Sequence, residues 1–521
     1  MQNILSVISF LLIINVLLLL FSVNSDAQSL NLNDTLQMDQ TIKKGVSKHL
    51  RTLEGDTILI PFEDLFNKKK LLSGIVIKQG SIISESMLQS TGSTTFTLSN
   101  GIKVHYKYVN KNKDNIQFNA LSHGGFSLVS NDDLPSAQLL ENMVALSGIG
   151  NYSTTDLSKI LIGKTAHTRV HLSDLTESIT GASVTKDVET LLQMVYLRFV
   201  KPRLDTDAYQ ILIRNLNNDI VRRRRVMDDQ VNDSIITTLY GNRHPRRRLF
   251  NNDFVRDVSF DKIKKLYKER FNNAADFEFF IVGDIQKGNL RPLLERYIAS
   301  IPTNDVKEVW KDNSVPWLRD TTHKDISLMM KIPKKLLRIE YKNIMPYSLK
   351  NVLIARVLGD ILQLRFIEKL QEQATILCKT IVKSSVSEYP IEQASLYIAI
   401  DCNPVKVEQF LTVVRQEIEK IENGIVAQTD LDKIKAAYLE ERKQQQFYNS
   451  YDMCVLINYF REGYHMNDPK NFEDIVNAIT IKDVELFTKA LIKDSKSYEI
   501  VFSPDSTCLQ IHQVKGMVNK R

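Results

Sequence analysis

Cysteine is scarce in this chain. Four occur in 521 residues, Cys378, Cys402, Cys454 and Cys508, all in the last third and none in C-x-x-C spacing. An exported protein could pair some of them, but no disulfide framework is indicated in so long a chain, and buried free thiols are the expectation. Glycine and proline are modest, at 19 and 13, which excludes a fibrous or low-complexity protein. No phosphate loop, dinucleotide fingerprint or Ser-His-Asp order is present. Long apolar runs are also missing, with one exception at the start, so the remainder is expected to be soluble.

That exception is residues 4–23, which carry no charge. Ser25-Asp26-Ala27 then places small residues at −3 and −1, and the stretch reads as a signal peptide over 1–27, cleaved before Gln28. Met-Gln-Asn at the start carries no Lys or Arg. Left uncleaved, a run of about 20 apolar residues could anchor the chain in a membrane. The formal net charge of +7 is a weak bias over this length, but basic residues cluster at Lys68–Lys70, Arg222–Arg225, Arg243 and Arg246–Arg248. Aromatic interleaving and a nucleic-acid docking element are missing there. A solvated helix face or an acidic partner fits the Arg222–Arg225 run better, since Asp228 and Asp229 follow it.

Residues 28–93 are polar and weakly patterned and read as an extended linker with at most one helix. Order is expected from Thr94. TFTL at 95–98, the Asn100-Gly101 turn and IKVHYKY at 102–108 form a hairpin signal, and 116–122 is a third strand. Residues 134–147 show helical spacing of Ala137, Leu139, Leu140, Met143 and Val144. Alternating strands cover 167–184; helices follow at 186–200, 205–226 and 261–271, then a strand at 276–283 and a helix at 288–301. Residues 304–325 read as a linker. A second unit repeats the order: strands 327–332 and 337–343, a long helix 347–372, strands 376–386 and 393–401, helices 404–423, 429–447, 450–463 and 482–493, and a closing strand 497–503. The prediction is an α+β protein with two duplicated units, 94–303 and 326–505, and a tail at 506–521.

Six segments carry a specific resemblance: TLSNGIKVHYK (97–107), LSHGGFSLV (121–129), SGIGNYSTTDLSKILIGK (147–164), TLYGNRHPR (238–246), KIKKLYKERFNNAADFEFFIVGDI (262–285) and YKNIMPYSLKN (341–351). In this order and spacing the chain, from about residue 55 onward, resembles the pitrilysin/insulinase family of inverted zinc peptidases. It is closest to the non-catalytic second half of long bacterial members. The resemblance implies tandem domains of the mitochondrial processing peptidase-like fold, each a mostly antiparallel sheet packed by helices.

The family's chemistry needs a helical H-x-x-E-H. Two imidazoles bind zinc, the Glu takes a proton from zinc-bound water, and a later carboxylate completes the ligand set. The matching residues here are Gln138-Leu139-Leu140-Glu141-Asn142. Both histidine positions are lost, to Gln138 and Asn142, while the Glu position survives as Glu141. The third-ligand position falls at Asp219. Neutral amides are poor zinc ligands, and without a metal Glu141 reads as a helix-surface or capping carboxylate. The family's second-domain Arg and Tyr, which hold the substrate backbone and stabilise the oxyanion, fall at Gln371 and Cys378, with Thr375-Ile376 in place of the usual Gly pair. His167 and His171 share a strand face but have no third ligand nearby in sequence. His123 reads as a loop histidine, and His244 has no sequence partner.

The resemblance therefore implies an exported, periplasmic or extracellular subunit that does not itself cut peptides. No cofactor is expected in it; zinc would belong to a catalytic pitrilysin-type partner, and together the two would form a peptide-degradation chamber as a heterodimer. Two other readings stay open: a stand-alone secreted peptide-binding protein that captures extended peptides at a sheet edge, and an active zinc endopeptidase with substituted ligands. Partners would be the catalytic subunit and unfolded or short peptides, not nucleic acid, and a membrane only if the leader stays.

Overall fold

The computed structural model describes residues 70–304, 306–372, 378–402, 407–462 and 471–505. The expected signal peptide, most of the expected linker 28–93, the tail 506–521 with Cys508, and Thr375-Ile376 lie outside the described residues.

The first unit holds strands β1 (Ile82–Leu88), β2 (Ser93–Leu98), β3 (Lys103–Tyr108), β4 (Ile116–His123), β5 (Ala166–Leu172), β6 (Thr176–Ser183) and β7 (Glu278–Gly283). Its helices are α1 (Leu134–Ala137), α2 (Leu140–Leu146), α3 (Thr154–Ile160), α4 (Val188–Val200), α5 (Thr206–Arg223), α6 (Met227–Tyr240), α7 (Asn252–Arg256), α8 (Phe260–Phe271) and α9 (Lys287–Leu293). The second unit holds β8 (Thr321–Leu328), β9 (Lys335–Ile344), α10 (Leu349–Glu372), β10 (Lys379–Ser387), β11 (Gln393–Cys402), α11 (Val407–Glu422), α12 (Gln428–Gln445), α13 (Asn449–Glu462), α14 (Phe472–Ala478), α15 (Ile481–Ile492) and β12 (Lys496–Pro504).

The duplication is legible in the strand order. One sheet runs β1-β2-β3-β7-β4-β6-β5, the other β8-β12-β9-β11-β10. In both, the last strand of the unit inserts between the first and second strands of the repeat, parallel to one and antiparallel to the other: β7 beside β3 and β4, β12 beside β8 and β9. The remaining pairs, β4–β6–β5 and β9–β11–β10, are all antiparallel. The expected α+β class, with tandem mostly antiparallel units, is what the chain adopts.

The closing strands read FFIV and EIVF because each is covered on both faces. From β7, Phe279 and Ile281 enter the main core of the first unit, while Phe280 and Val282 pack with Met453 and Leu456 of α13. From β12, Val501 enters the second core, while Tyr498, Ile500 and Phe502 pack with Val231 and Leu239 of α6 and with Trp317. Each unit thus lends a helix to the back of the other's sheet. Polar contacts fasten α13: Asn449, fully buried, donates to the carbonyls of Asn112 and Asn115 at 3.3 and 3.2 Å and accepts the Asn112 N–H at 3.2 Å. Asp452 pairs with Lys107 at 2.7 Å and Lys111 at 2.5 Å.

Several expectations are corrected. Strand β1 lies inside the segment read as linker; it is an exposed edge whose polar residues and weak alternation hide the signal. Strand β8 begins at Thr321, within the second expected linker. The single helix over 134–147 is two, α1 and α2, broken at Gln138-Leu139. The helix over 205–226 ends at Arg223, and α6 and α14 were not foreseen. Buried free thiols describe Cys402, while Cys378 is half-buried and Cys454 is exposed.

Candidate functional site

Gln138–Asn142, the residues matched in sequence to H-x-x-E-H, span the α1–α2 break. Gln138 and Asn142 are exposed. Glu141 opens the first turn of α2, and its two carboxylate oxygens are both engaged. Oε1 accepts the Leu172 N–H at 2.6 Å, and Oε2 lies 3.4 Å from His171 Nδ1. The other His171 nitrogen meets Thr180 Oγ1 at 3.1 Å. Glu141 therefore ties α2 to the end of strand β5. His167 lies on the same outward face of β5 as His171, and its pKa is lowered by partial desolvation of the ring and by nearby Arg169. Asp219 lies on α5, where it accepts from Arg222 Nε at 3.2 Å.

Gln371 falls in the last turn of α10, and its side chain is outside the described residues. Cys378 immediately precedes β10. His123 ends β4 opposite Thr176, and His244 Nδ1 accepts the Arg246 N–H at 3.2 Å. Several arginines of the basic clusters find partners within the chain. Arg223 pairs with Asp229 at 2.7 Å and Asp233 at 2.8 Å, Arg246 donates to the carbonyls of Phe126 and Val129, and Arg248 pairs with Asp257 at 2.8 Å.

Among the described residues, one group of three metal-capable side chains converges, and it was not foreseen: Glu177, Asp276 and Glu308. A cation from the chain already stands among them. Arg270 grips Glu308 with both nitrogens, at 2.7 and 2.8 Å, and its Nη1 lies 3.8 Å from Glu177 Oε1. Glu177 Oε2 accepts the Gly125 N–H at 2.5 Å, and Oε1 has no hydrogen-bond partner. Burial pushes the Glu177 carboxyl up to about 8. The Gly125 N–H and Arg270 pull it down, while Glu308 and Asp276 push it further up.

The group works as a clamp on the connector between the units. Asp276 accepts from Ser122 Oγ at 2.5 Å and from the Glu308 N–H at 3.0 Å. Ser127 Oγ accepts the Lys311 N–H at 3.0 Å, and the Ser127 carbonyl accepts from Asn313. The HGG turn requires its glycines. Gly125 has φ +55°, and a Cβ there would stand 2.2 Å from the Ser173 carbonyl oxygen. No sequence spacing announces this site, because its residues come from β6, the segment after α8 and the connector.

Comparison with known proteins places the chain. A model of the peptidase M16 inactive domain matches residues 257–438. A probable zinc protease PqqL from Haemophilus influenzae is 24% identical over 68% of this chain and 38% of its own length. The crystal structure of the periplasmic protease PqqL from Escherichia coli superposes with TM-score 0.71 at 16% identity, covering 89% of this chain and 50% of that one. A peptidase M16 inactive domain from Pseudomonas fluorescens gives TM-score 0.64 at 14% identity, covering 79% of this chain and 98% of that one. The chain spans 38% or less of the length of the curated relatives it matches. The chain thus carries a segment that matches the peptidase M16 inactive domain over residues 257–438, within a fold that it shares with peptidases of the M16 family.

Proposed function

We propose that this chain is an exported, non-catalytic half of a pitrilysin-type zinc peptidase, which pairs with a catalytic half and supplies part of the wall of a peptide-degradation chamber. The observation that carries this reading is the donor set at the motif. Two exposed amides stand where imidazoles are needed, and the surviving carboxylate, Glu141, is engaged by the Leu172 N–H and His171. Asp219 is engaged by Arg222. Such a set does not fit a catalytic zinc, which requires imidazole, thiolate or free carboxylate donors and an open fourth position.

Two further points support it. This chain covers half of the Escherichia coli protease and nearly all of the Pseudomonas fluorescens inactive domain, the size expected of one half. That Escherichia coli relative is described as periplasmic, which agrees with reading residues 4–23 as an export signal. Among the described residues no helix is long and apolar enough to cross a membrane. An interface between two halves would bury well above about 1,600 Å².

The test is metal content and pairing. Mature chain purified without chelators is expected to hold essentially no zinc and to cleave no peptide alone. Mixed with a catalytic M16 half from the same source, it is expected to sediment as a heterodimer and to raise peptide cleavage. Zinc near one per chain, lost in Glu141→Gln or Asp219→Asn, would overturn the reading and favour a peptidase with substituted ligands. Peptide binding by the chain alone, with no pairing, would favour the stand-alone binding protein.

A further inference from the structure

Two thiols meet at the open end of the β10–β11 hairpin. The last pair of the ladder sets Lys379 opposite Asp401. One step further in the same antiparallel register sets Cys378 opposite Cys402. Along β11, Ala394, Leu396, Ile398, Ile400 and Cys402 are buried in the core beneath α10, and Cys378 packs against the same cluster from the neighbouring strand end. After burial, the neighbouring Cys378 thiol is the next cause that raises the pKa of the Cys402 thiol.

We propose that Cys378 and Cys402 form a cross-strand disulfide when the folded chain meets a thiol-disulfide oxidant. Directly opposed residues of an antiparallel pair have Cα atoms about 4.5–5.5 Å apart, inside the window of about 4.4–6.8 Å that a disulfide requires. The side chains already lie on one face of the sheet, so the ladder needs no change of register. Cys454 is no competitor, since it lies on α13, which packs on the sheet of the other unit.

The exchange has a direction. Cys378 is half-buried, whereas Cys402 is 1% exposed with its thiol pKa pushed up by burial. The Cys378 thiolate attacks one sulfur of the oxidant's disulfide; a new S–S bond forms and one oxidant thiolate leaves. Cys402 sulfur, losing its proton, then attacks Cys378 sulfur, the mixed disulfide breaks and the second oxidant thiolate leaves. Two electrons pass from the cysteines to the oxidant, and the two thiol protons end on its released thiols. The bond closes the chain from Cys378 to Cys402 and pins the start of β10 where the chain emerges from α10. This inference is independent of whether the motif binds zinc.

The experiment uses the full chain, reduced, freed of reductant and equilibrated with glutathione disulfide. It is then alkylated without reduction and mapped by peptide mass spectrometry, with urea-denatured chain as the control that the oxidant is competent. The expected result is a linked peptide pair joining Cys378 to Cys402 in most molecules, with Cys454 alkylated. Cys378→Ser is expected to abolish the linked species with unchanged circular dichroism. Three results would overturn the proposal: Cys378 and Cys402 unlinked in native chain under conditions that oxidise the denatured control, Cys378 held only as a glutathione mixed disulfide, or linkage of either residue to Cys454 or Cys508.

Discussion

The exchange of helices between the two units makes a sharp prediction about cooperativity. Leu456, on α13, is fully buried against Phe280 and Val282 of β7, on the face of the first sheet that its own unit does not cover. Replacing it with Ala removes buried methyl groups and leaves a cavity between elements that belong to different units. Leu→Ala at such sites costs about 2–5 kcal/mol. Full burial between two regular elements, with little freedom to collapse, places this one at about 3 kcal/mol or more. The assay is urea unfolding read by tryptophan fluorescence. Trp317 sits in the reciprocal cluster, with α6 and the back of β12, and Trp310 lies on the connector. If the units are interlocked, a lesion under α13 moves the transition reported at the Trp317 side by the same free energy. A double-mutant cycle with Val282→Ala should show a coupling of about 0.5–3 kcal/mol, as for residues in contact. An unshifted tryptophan transition, with a separate earlier transition by circular dichroism, would refute the interlocking and leave two independently stable units.

The Glu177 carboxyl predicts a pH dependence. Its folded pKa is raised from 4.5 to about 8, so the native state holds a proton that the unfolded chain has released. Stability falls as pH rises from about 4.5 to about 8, by up to about 1.4 kcal/mol per unit, and levels off above that. Glu177→Gln should remove this slope and gain on the natural chain as pH rises; equal slopes in denaturant melts would contradict the assignment. Gly125→Ala should cost several kcal/mol, because its Cβ would overlap the Ser173 carbonyl in a left-handed turn, with proteolysis of the 306–313 connector as the readout. Glu141→Gln should change stability by under about 1 kcal/mol, since the pair with His171 is 40% exposed on both sides. A thermal melt showing a larger loss would mean that Glu141 has a role beyond tying α2 to β5.

The duplication and the strand runs that needed cover on both faces were legible in the sequence, because each is a property of neighbouring residues. FEFFIVG and YEIVFS announce buried central strands by composition alone. What covers those strands was decided only by the tertiary structure. Helix α6 interleaves its apolar residues with Asp228, Asp229, Gln230, Asn232, Asp233 and Ser234, and Val231 and Leu239 match the sheet of the other unit rather than its own, so local periodicity carried little signal. The same holds for the connector clamp and for Glu141. Glu177, Arg270 and Glu308 are far apart in the chain and meet because β6, α8 and the connector converge. Glu141 binds His171 and Leu172 because α2 packs on β5. Burial sets the charge state of Glu177, and burial is a property of the assembled fold, not of the residue or its neighbours in sequence.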